Sequence, residues 1–358
     1  MSNNKDFKVK RGIQPTVYQE GVGTVVSGSV GYYLAGASYD SVSFSVSSQD
    51  TAPSAIVFNN DGTKMYMVGS TNDNVFQYSL STAFDLSTAS YDSVSFSVAS
   101  QDTAPLGIAF NNAGTKMYMV GLVSDSVFQY SLSTGFDLST ASYDSVSFSV
   151  SGQGGTPRSL TFNTNGTKMY VLNANSVSQY SLSTGFDLST TSYDSVIFSV
   201  ASQENNARGL AFNVNGTKMY MDGLTNDSIF QYSLSTGFDL STASYDSFSF
   251  SVTGQDTSPH GIVFNNDGTK MYVVGATNAT IYQYSTALTT NTLDLSSGSV
   301  FKITPTSDIE VQLSNPAASG TSSGATLLLD GAETTGVAST FSTTLYTGTA
   351  TARTITNG

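Results

Sequence analysis

The sequence predicts an all-β protein whose main part is a five-bladed β-propeller, and three observations lead to this prediction. A segment of about fifty residues occurs five times in succession. Each copy contains four short runs of β-strand composition separated by turn residues. The apolar character of these runs falls from the first to the fourth, which is the burial gradient of a propeller blade running from its inner to its outer strand.

Two short motifs define the repeat. The tetrad Thr-Lys-Met-Tyr ends at Tyr66, Tyr118, Tyr170, Tyr220 and Tyr272. The triplet Tyr-Asp-Ser begins at Tyr39, Tyr91, Tyr143, Tyr193 and Tyr245. Both series advance by the same steps, and five copies at such a period indicate a solenoid, a propeller or an array.

The first copy illustrates the four predicted strands, named A to D. Strand A covers about 55–59 and strand B about 64–68, and the turn Asn60-Asp61-Gly62 joins them with residues that tolerate positive φ. Strand C covers about 75–80. Strand D is the run Ser-Val-Ser-Phe-Ser-Val, which alternates between apolar and polar side chains and therefore has one solvated face.

The ends of the repeat array predict how the ring closes. A D strand at 41–46 precedes the first A strand, whereas the fifth set of A, B and C strands (about 262–285) has no D strand after it. If the early D strand completes the last blade, the ring has no free edge. An open β-solenoid is the alternative, and it would leave this strand unexplained.

Three regions are predicted along the chain. Residues 1–36 form an N-terminal anchor or arm, 37–286 the propeller, and 287–358 a small β-sandwich-like domain. The last region is rich in Thr, Ser, Ala and Gly, with short alternating runs such as Val300-Phe301-Lys302-Ile303. For the N-terminal region, a solvated charged tail is the alternative.

Composition argues against several classes of partner. The 358 residues carry a formal net charge of −13, and only 11% of them are charged, which disfavours nucleic acid and anionic membranes as partners. The chain has no Cys, so disulfides and thiolate metal sites are excluded. No segment has the length of a transmembrane helix, and the first residues lack the apolar core of a signal peptide, so synthesis in a cytoplasm is expected.

No catalytic or metal-binding motif appears in the sequence. His260 is the single histidine, and it is interpreted as a surface loop residue whose counterparts are Leu106, Ser159 and Gly209. Most carboxylates recur in every copy, which is typical of turns and caps. We therefore expect no catalytic residue, no metal, no cofactor and no enzymatic activity.

The D–A loops, by contrast, differ between copies and share one rim with the B–C loops. Their neutral amides and carboxylates suit a hydroxyl-rich ligand such as a glycan. The candidate ligand-binding rim consists of Gln49, Asp50, Gln101, Asp102, Gln153, Gln203, Glu204, Gln255, Asp256 and His260. The alternative is that these side chains only hold the loops through bonds to the backbone.

The blade sequences at 261–275 and 231–242 resemble propeller repeats in structural proteins of marine bacteriophages. The start Lys5-Asp6-Phe7-Lys8-Val9-Lys10 and the C-terminal stretches 293–298 and 314–320 are similar to tail-fibre and other virion proteins of these phages. The resemblance implies a non-enzymatic virion structural protein, either a fibre or a capsid or tail decoration, that contacts the host surface.

The resemblance also implies partners and a location. The expected location is the virion, and the expected partners are other virion proteins and a host surface glycan or protein. Fibres of this kind are often trimers. The candidate virion anchor is Phe7, Lys8, Val9, Lys10 and Arg11. The alternatives are a lectin-like glycan-binding propeller and a lactonase-like propeller enzyme.

Overall fold

The structure is a computed structural model that describes residues 25–286, 288–294, 300–303, 309–314, 326–329, 343–347 and 351–355. Two compact units are present, and the larger spans Val30–Leu288. The larger unit is a five-bladed β-propeller in which each blade is a four-stranded antiparallel sheet.

The strands follow the repeat. Two strands precede the first blade: β1 (Val25–Val30) and β2 (Ser38–Ser45). Blade 1 contains β3 (Pro53–Phe58), β4 (Lys64–Gly69), β5 (Asn74–Leu80) and β6 (Ala89–Ser97). Blade 2 contains β7 (Pro105–Phe110), β8 (Lys116–Gly121), β9 (Ser126–Leu132) and β10 (Ala141–Ser149). Blade 3 contains β11 (Pro157–Phe162), β12 (Lys168–Asn173), β13 (Ser176–Leu182) and β14 (Thr191–Ser199). Blade 4 contains β15 (Ala207–Phe212), β16 (Lys218–Gly223), β17 (Ser228–Leu234) and β18 (Ala243–Ser251). Blade 5 contains β19 (Pro259–Phe264), β20 (Lys270–Gly275), β21 (Thr280–Ser285) and, from the N-terminal side, β2.

A short 3-10 helix precedes the outer strand of each blade. These helices are Leu34–Gly36, Leu86–Thr88, Leu138–Thr140, Leu188–Thr190 and Leu240–Thr242, and a further one lies at Ser151–Gln153. In blade 1 the carboxylate of Asp85 accepts the N–H of Ser87 at 3.0 Å and caps the helix. Asp137, Asp187 and Asp239 do the same in the next three blades. The predicted capping role is confirmed for these four carboxylates, whereas the other recurring set, which includes Asp40 and Asp92, forms ion pairs.

Burial falls from the inner to the outer strand, as predicted. In blade 1, β3 and β4 are buried almost throughout, whereas β6 alternates between half-buried and exposed side chains. Neighbouring blades are also joined by hydrogen bonds from a buried tyrosine of strand B to the segment that precedes an outer strand. The Tyr66 hydroxyl of blade 1 donates to the carbonyl of Phe136 in blade 2, and equivalent bonds run from Tyr118, Tyr170, Tyr220 and Tyr272. The blade interfaces therefore combine an apolar core with one repeated polar bond.

The ring closes as the offset strand count predicted. β2 pairs antiparallel with β21, with Phe44 opposite Ile281. Closure also uses residues just before β2, because the N–H of Tyr32 donates to Gly268 at 2.6 Å and Leu34 is 1% exposed. The propeller thus begins several residues before the predicted boundary at residue 37.

Each blade contains one ion pair between strand B and strand D. Lys64 Nζ lies 2.7 Å from Asp92 Oδ2 in blade 1, and Lys270 Nζ lies 2.5 Å from Asp40 Oδ2 in blade 5. The remaining pairs are Lys116–Asp144, Lys168–Asp194 and Lys218–Asp246. All lysines of the propeller are therefore neutralised by a partner in the same blade.

The A–B turns are linked to one another around the channel. Asn60 Nδ2 donates to the carbonyl of Asn112 at 2.6 Å, and Asn112 Nδ2 donates to Thr164 at 2.8 Å. The next bond runs from Thr164 Oγ1 to the carbonyl of Val214 at 3.2 Å. Val214 has no side-chain donor and is 60% exposed, so the chain of bonds between the turns is interrupted there, and the carbonyl of Asn266 accepts the Tyr32 hydroxyl at 3.3 Å instead. It resumes with Asn266 Nδ2, which donates to Asn60.

This interruption leads to a stability prediction. Val214→Asn should supply the missing donor and raise the free energy of unfolding by about 1 kcal/mol, the net contribution of one such hydrogen bond. Urea denaturation measures the change. Asn112→Val, the reverse substitution in blade 2, should lower stability by a similar amount. Equal stability of all three proteins would show that the turn-to-turn bonds contribute nothing.

The C-terminal strands are β22 (Leu288–Asp294), β23 (Val300–Ile303), β24 (Ile309–Ser314), β25 (Thr326–Leu329), β26 (Thr343–Thr347) and β27 (Thr351–Ile355). β1, β22 and β24 form one sheet, in which β22 and β24 are parallel. β23 and β25 form a parallel pair, and β26 and β27 an antiparallel one. The alternating runs of the sequence are therefore strands, as predicted.

Two further observations concern the predicted arm and membrane spans. The candidate virion anchor, Phe7 to Arg11, lies outside the described residues. Among the residues that the structure describes, no helix has the length and apolar character needed to cross a membrane.

Candidate functional site

The carboxylates of the predicted ligand-binding rim are buried. Asp50 is 1% exposed; its Oδ1 accepts the N–H of Ala52 at 2.8 Å and its Oδ2 accepts the N–H of Asn72 at 2.9 Å. One side chain thus ties the D–A loop to the B–C loop. Gly69 leaves room for it, because a Cβ at that position would lie 2.2 Å from Asp50 Cγ.

Three other blades repeat this arrangement. Asp102, Glu204 and Asp256 are similarly buried and accept backbone N–H groups from both loops. In blade 3 the two residue types are exchanged. Gly154 stands at the position of Asp50, and Asn173 stands at the position of Gly69 and fills the space that the carboxylate occupies in blade 1. The rim carboxylates therefore hold the loops through bonds to the backbone, and they are not available to a ligand.

The glutamines of the rim are half-buried and face the blade. The Tyr180 hydroxyl donates to Gln153 Oε1 at 3.1 Å, and equivalent bonds of 3.2–3.5 Å join Gln49, Gln101 and Gln255 to the tyrosines of their blades. Within the described residues, the Tyr232 hydroxyl near Gln203 has no such partner. The predicted rim is thus largely a support for its own loops.

A different set of residues meets at the same end of the channel. The innermost strand of each blade begins with a β-bulge, as shown by register shifts between Pro53 and Ala55 and between Pro157 and Ser159. A bulge re-aims the side chain of its extra residue. The bulged side chains surround one crevice, and we call this set the mouth ring: Ser54, Leu106, Arg158, Arg208 and His260.

The mouth ring corrects the interpretation of His260. His260 lies on β19, not in a surface loop, and it is half-buried. Its counterparts in blades 3 and 4 are Arg158 and Arg208, one residue before the predicted Ser159 and Gly209. The repeat steps of 52 and 50 residues, counted back from His260, lead to these two arginines.

The two arginines of the mouth ring have no ionic partner. Among the described residues, each of the five ion pairs uses a lysine, and Arg158 and Arg208 belong to none of them. Within the same residues, neither arginine Nε has a hydrogen-bond partner. Two guanidinium groups without a salt bridge, in adjacent blades, form a cationic centre in a chain of net charge −13. Such a centre suits carboxylate or phosphate groups.

Burial and mutual repulsion set the protonation of this centre. Desolvation and the charge of Arg158 lower the pKa of Arg208 to about 10, so Arg208 is still charged at neutral pH. Desolvation and the charge of Arg208 lower the pKa of His260 to about 4. His260 is therefore an uncharged imidazole at neutral pH, and its Nε2 lies 3.3 Å from Ser258 Oγ. The mouth ring thus combines two cations with one neutral base.

The channel behind the mouth ring is uncharged. It encloses about 220 Å³ between the innermost strands, and its walls include Ile56, Thr161, Leu210 and Ile262. The mouth-ring side chains pack so closely that no water-sized space remains between them. A charged ligand would therefore bind on the solvent side of the guanidinium groups.

Other chemistry is not apparent at this rim. Among the described residues, no group of three or more His, Asp or Glu side chains is placed to hold a metal ion. Sequence reasoning missed Arg158 and Arg208, although a signal was present. They are the only arginines between residues 37 and 286, and both occupy the same position of the repeat.

Comparison with known proteins gave one family match. The family described as "Lactonase, 7-bladed beta-propeller" matches residues 107–307, more than half of the chain. The matched range contains Arg158, Arg208 and His260. This chain has five blades where the family description has seven. No curated protein matches the chain.

Solved structures with a similar arrangement share little sequence with the chain. A protein of unknown function from Desulfotomaculum acetoxidans is 16% identical with a TM-score of 0.37, and the match covers 52% of this chain and 56% of that one. A putative 6-phosphogluconolactonase from Bacteroides uniformis is 14% identical with a TM-score of 0.42, covering 66% and 68%. Another from Bacteroides fragilis is 14% identical with a TM-score of 0.41, covering 66% and 67%. This chain thus spans little more than half of the first of these proteins.

The family match corrects two predictions. The chain was expected to be a non-enzymatic virion structural protein, and a lactonase-like enzyme was the least favoured alternative. The match to a lactonase family contradicts both the virion function and the expected lack of enzymatic activity. The virion location and the virion partners stay predictions.

Proposed function

The chain belongs to the lactonase family of β-propellers, and from this premise we propose that it hydrolyses a lactone that carries an anionic group. The observation that supports this proposal is the mouth ring, where two arginines without ionic partners lie beside a neutral histidine. The arginines supply a site for the anionic group, and the histidine supplies a base.

Arg158 and Arg208 are proposed to bind the anionic group of the substrate. A guanidinium group presents several N–H donors in one plane and binds carboxylate or phosphate with two parallel hydrogen bonds. Both side chains are partly desolvated, which strengthens such bonds. The substrate class is thus a carboxylated or phosphorylated lactone, and an uncharged lactone should bind weakly.

His260 is proposed to act as the general base. Its low pKa in the ligand-free protein makes it a weak base. A bound anion would offset the positive charges of Arg158 and Arg208, which are among the causes of the low value. The pKa of His260 would then rise toward its ordinary value, so that substrate binding itself activates the base.

The reaction needs one water molecule and no other reactant. His260 accepts a proton from the water as its oxygen attacks the lactone carbonyl carbon. Guanidinium N–H groups that are not engaged by the anionic group stabilise the negative charge that develops on the carbonyl oxygen. The bond between the carbonyl carbon and the ring oxygen then breaks, and the ring oxygen takes the proton from His260. The product is the open hydroxy acid.

Proton release on ring opening provides the test. In a pH-stat assay, the protein should hydrolyse a δ-lactone that bears a carboxylate or phosphate group faster than the same ring without it. Arg158→Ala and Arg208→Ala should each raise KM by about tenfold or more, since each removes charge-assisted hydrogen bonds. His260→Ala should lower kcat by about 100-fold or more.

A matched control separates the mouth ring from the loops around it. Gln101→Ala alters the same rim but lies outside the mouth ring, and it should leave both constants unchanged. The proposal fails if the wild-type protein gives no hydrolysis above the spontaneous rate. It also fails if the double substitution Arg158→Ala, Arg208→Ala leaves KM unchanged in a protein that is still folded.

A further inference from the structure

Blade 4 contains a buried carboxylate that the proposed reaction does not use. Asp222 lies on β16 and is completely buried. At the same position the other four blades have apolar residues, which are also completely buried: Val68, Val120, Leu172 and Val274. An aspartate in this apolar site is costly unless something favours its charge.

Asp222 is bonded to the strand that carries Arg208. Its Oδ1 accepts the backbone N–H of Gly209, the residue after Arg208. Within the described residues, its Oδ2 has no hydrogen-bond partner. The positive charge of Arg208 favours the ionised form of Asp222, whereas the negative charge of Glu204 in the preceding D–A loop disfavours that form. On the blade 5 side, a Cβ added at Gly209 would meet backbone atoms of Gly261 and Ile262, which carry no charge.

The backbone of blade 4 is also altered at this point. In the other blades the equivalent residues pair across strands A and B, as Ala55 does with Val68 and Ser159 with Leu172. In blade 4 the pair of Gly209 and Asp222 is missing, and regular pairing resumes only at Leu210. The carboxylate takes the N–H that would otherwise point to the neighbouring strand. The bulge that directs Arg208 into the mouth ring is therefore wider here than elsewhere.

We propose that Asp222 is a positioning residue that makes anion binding at Arg208 depend on pH. The proposal rests on the anion site of the proposed function. An ionised Asp222 attracts the Arg208 guanidinium from the buried side and competes with an anion in solution. A protonated Asp222 leaves the full charge of Arg208 to that anion. Binding should therefore be stronger at low pH and weaken as Asp222 loses its proton.

The pH range of this effect follows from the burial of the carboxylate. Burial raises the pKa of Asp222 to about 7, and the Gly209 N–H and Arg208 only partly offset this rise. Neither His260 nor Arg208 changes charge near that pH. The pKa of His260 is about 4 and that of Arg208 about 10. By linkage, an anion that occupies Arg208 should in turn promote proton uptake by Asp222.

Calorimetric titration with sulfate tests the proposal, because the charge of sulfate is constant over the range used. The full chain should bind sulfate about tenfold more weakly at about pH 8.5 than at about pH 5.5, a typical coupling between two sites. Asp222→Asn, which is nearly isosteric and cannot ionise, should bind with the low-pH affinity at both pH values. Asp222→Val, which restores the residue type of the other blades, should also lose the pH dependence.

The outcomes distinguish this inference from the proposed function. If the pH dependence of sulfate binding is the same in the wild-type protein and in both variants, the role of Asp222 is overturned. The proposed anion site is still supported in that case if Arg158→Ala abolishes sulfate binding. Absence of sulfate binding at every pH overturns both. Titrations in two buffers of different ionisation enthalpy should also reveal proton uptake on binding at about pH 7 in the wild-type protein but not in Asp222→Asn.

Discussion

Deletion of residues 31–45 should abolish folding of the propeller. These residues supply the outer strand of blade 5 and the Asp40 carboxylate that pairs with Lys270. They also supply Leu34, which belongs to the hydrophobic core. Without them β21 becomes a free edge, and blades 4 and 5 lose the bond from the Tyr220 hydroxyl to the carbonyl of Tyr32 at 2.8 Å. The loss should exceed about 5 kcal/mol, which is the whole stability of many domains. Size-exclusion chromatography and circular dichroism should show aggregated or unfolded protein.

A pair of single substitutions tests the same closure without removing a strand. Asp40 in blade 5 and Asp92 in blade 1 make matching ion pairs, with 13% and 15% of their side chains exposed. Asp40→Asn and Asp92→Asn should therefore cost the same, about 2 kcal/mol each, for a partly buried and hydrogen-bonded pair. If Asp40→Asn costs nothing while Asp92→Asn does, the N-terminal strand is not firmly held and the closure is wrong.

The pH dependence of these pairs follows from the direction of their pKa shifts. Burial alone would raise the pKa of Asp40, but bonds from Lys270, Ser285 and Gln283 bring it below its ordinary value. A lowered pKa in the folded state means that the pair stabilises the protein above the ordinary pKa of aspartate. That contribution is lost as the pH falls through the lowered value. Both asparagine variants should accordingly approach wild-type stability in acid.

The fold could be predicted because the repeat displays its own strand pattern five times. The D strand that contains Phe44 stands before any A strand, and only a closed ring gives it a partner. The contribution of residues 31–36 was missed for a specific reason. Tyr32 and Leu34 lie one repeat step before Phe84 and Leu86, but residues 31–36 keep only the Gly and the Leu of the repeated Gly-Phe-Asp-Leu-Ser-Thr segment. In the structure Tyr32 packs against Gly268 as Phe84 packs against Gly62, which establishes the equivalence.

The candidate site could be predicted only in outline. The sequence correctly indicated that the D–A loops differ between blades, but it did not show that Asp50 and Asp102 face inward to backbone N–H groups of a loop about twenty residues away. The mouth ring depends on bulges at Arg158 and Arg208, and strand alternation does not predict where a bulge lies. Side chains that are distant in sequence meet there because the ring brings the same repeat position from every blade to one axis.

Asp222→Val should make the propeller considerably more stable at alkaline pH. The sequence Met-Asp-Gly of β16 stands where blades 1 and 2 have Met-Val-Gly and blade 5 has Val-Val-Gly, so valine fits the surrounding packing. At about pH 8 the wild-type protein has to hold an ionised carboxylate in a completely buried site. The variant removes that cost and fills the site with an apolar side chain, as replacement of poorly compensated buried charges does in other proteins.

The size and the pH dependence of the gain follow from linkage. The pKa of Asp222 is raised from 3.8 to about 7, so the folded protein binds this proton more tightly than the unfolded chain does. The stabilising effect of the bound proton is fully present below pH 3.8 and is lost as the pH rises through about 7. A shift of about three units corresponds to about 4 kcal/mol. Urea denaturation should therefore show Asp222→Val to be more stable than the wild-type protein by about that amount at pH 8, and by much less at pH 4.

Val120→Asp is the matched control, because it places a carboxylate at the same position of blade 2, where Leu106 replaces the arginine. It should destabilise the protein at pH 8 by at least as much. If Asp222→Val is no more stable than the wild-type protein at pH 8, the carboxylate is compensated in the folded state and the raised pKa of Asp222 is wrong.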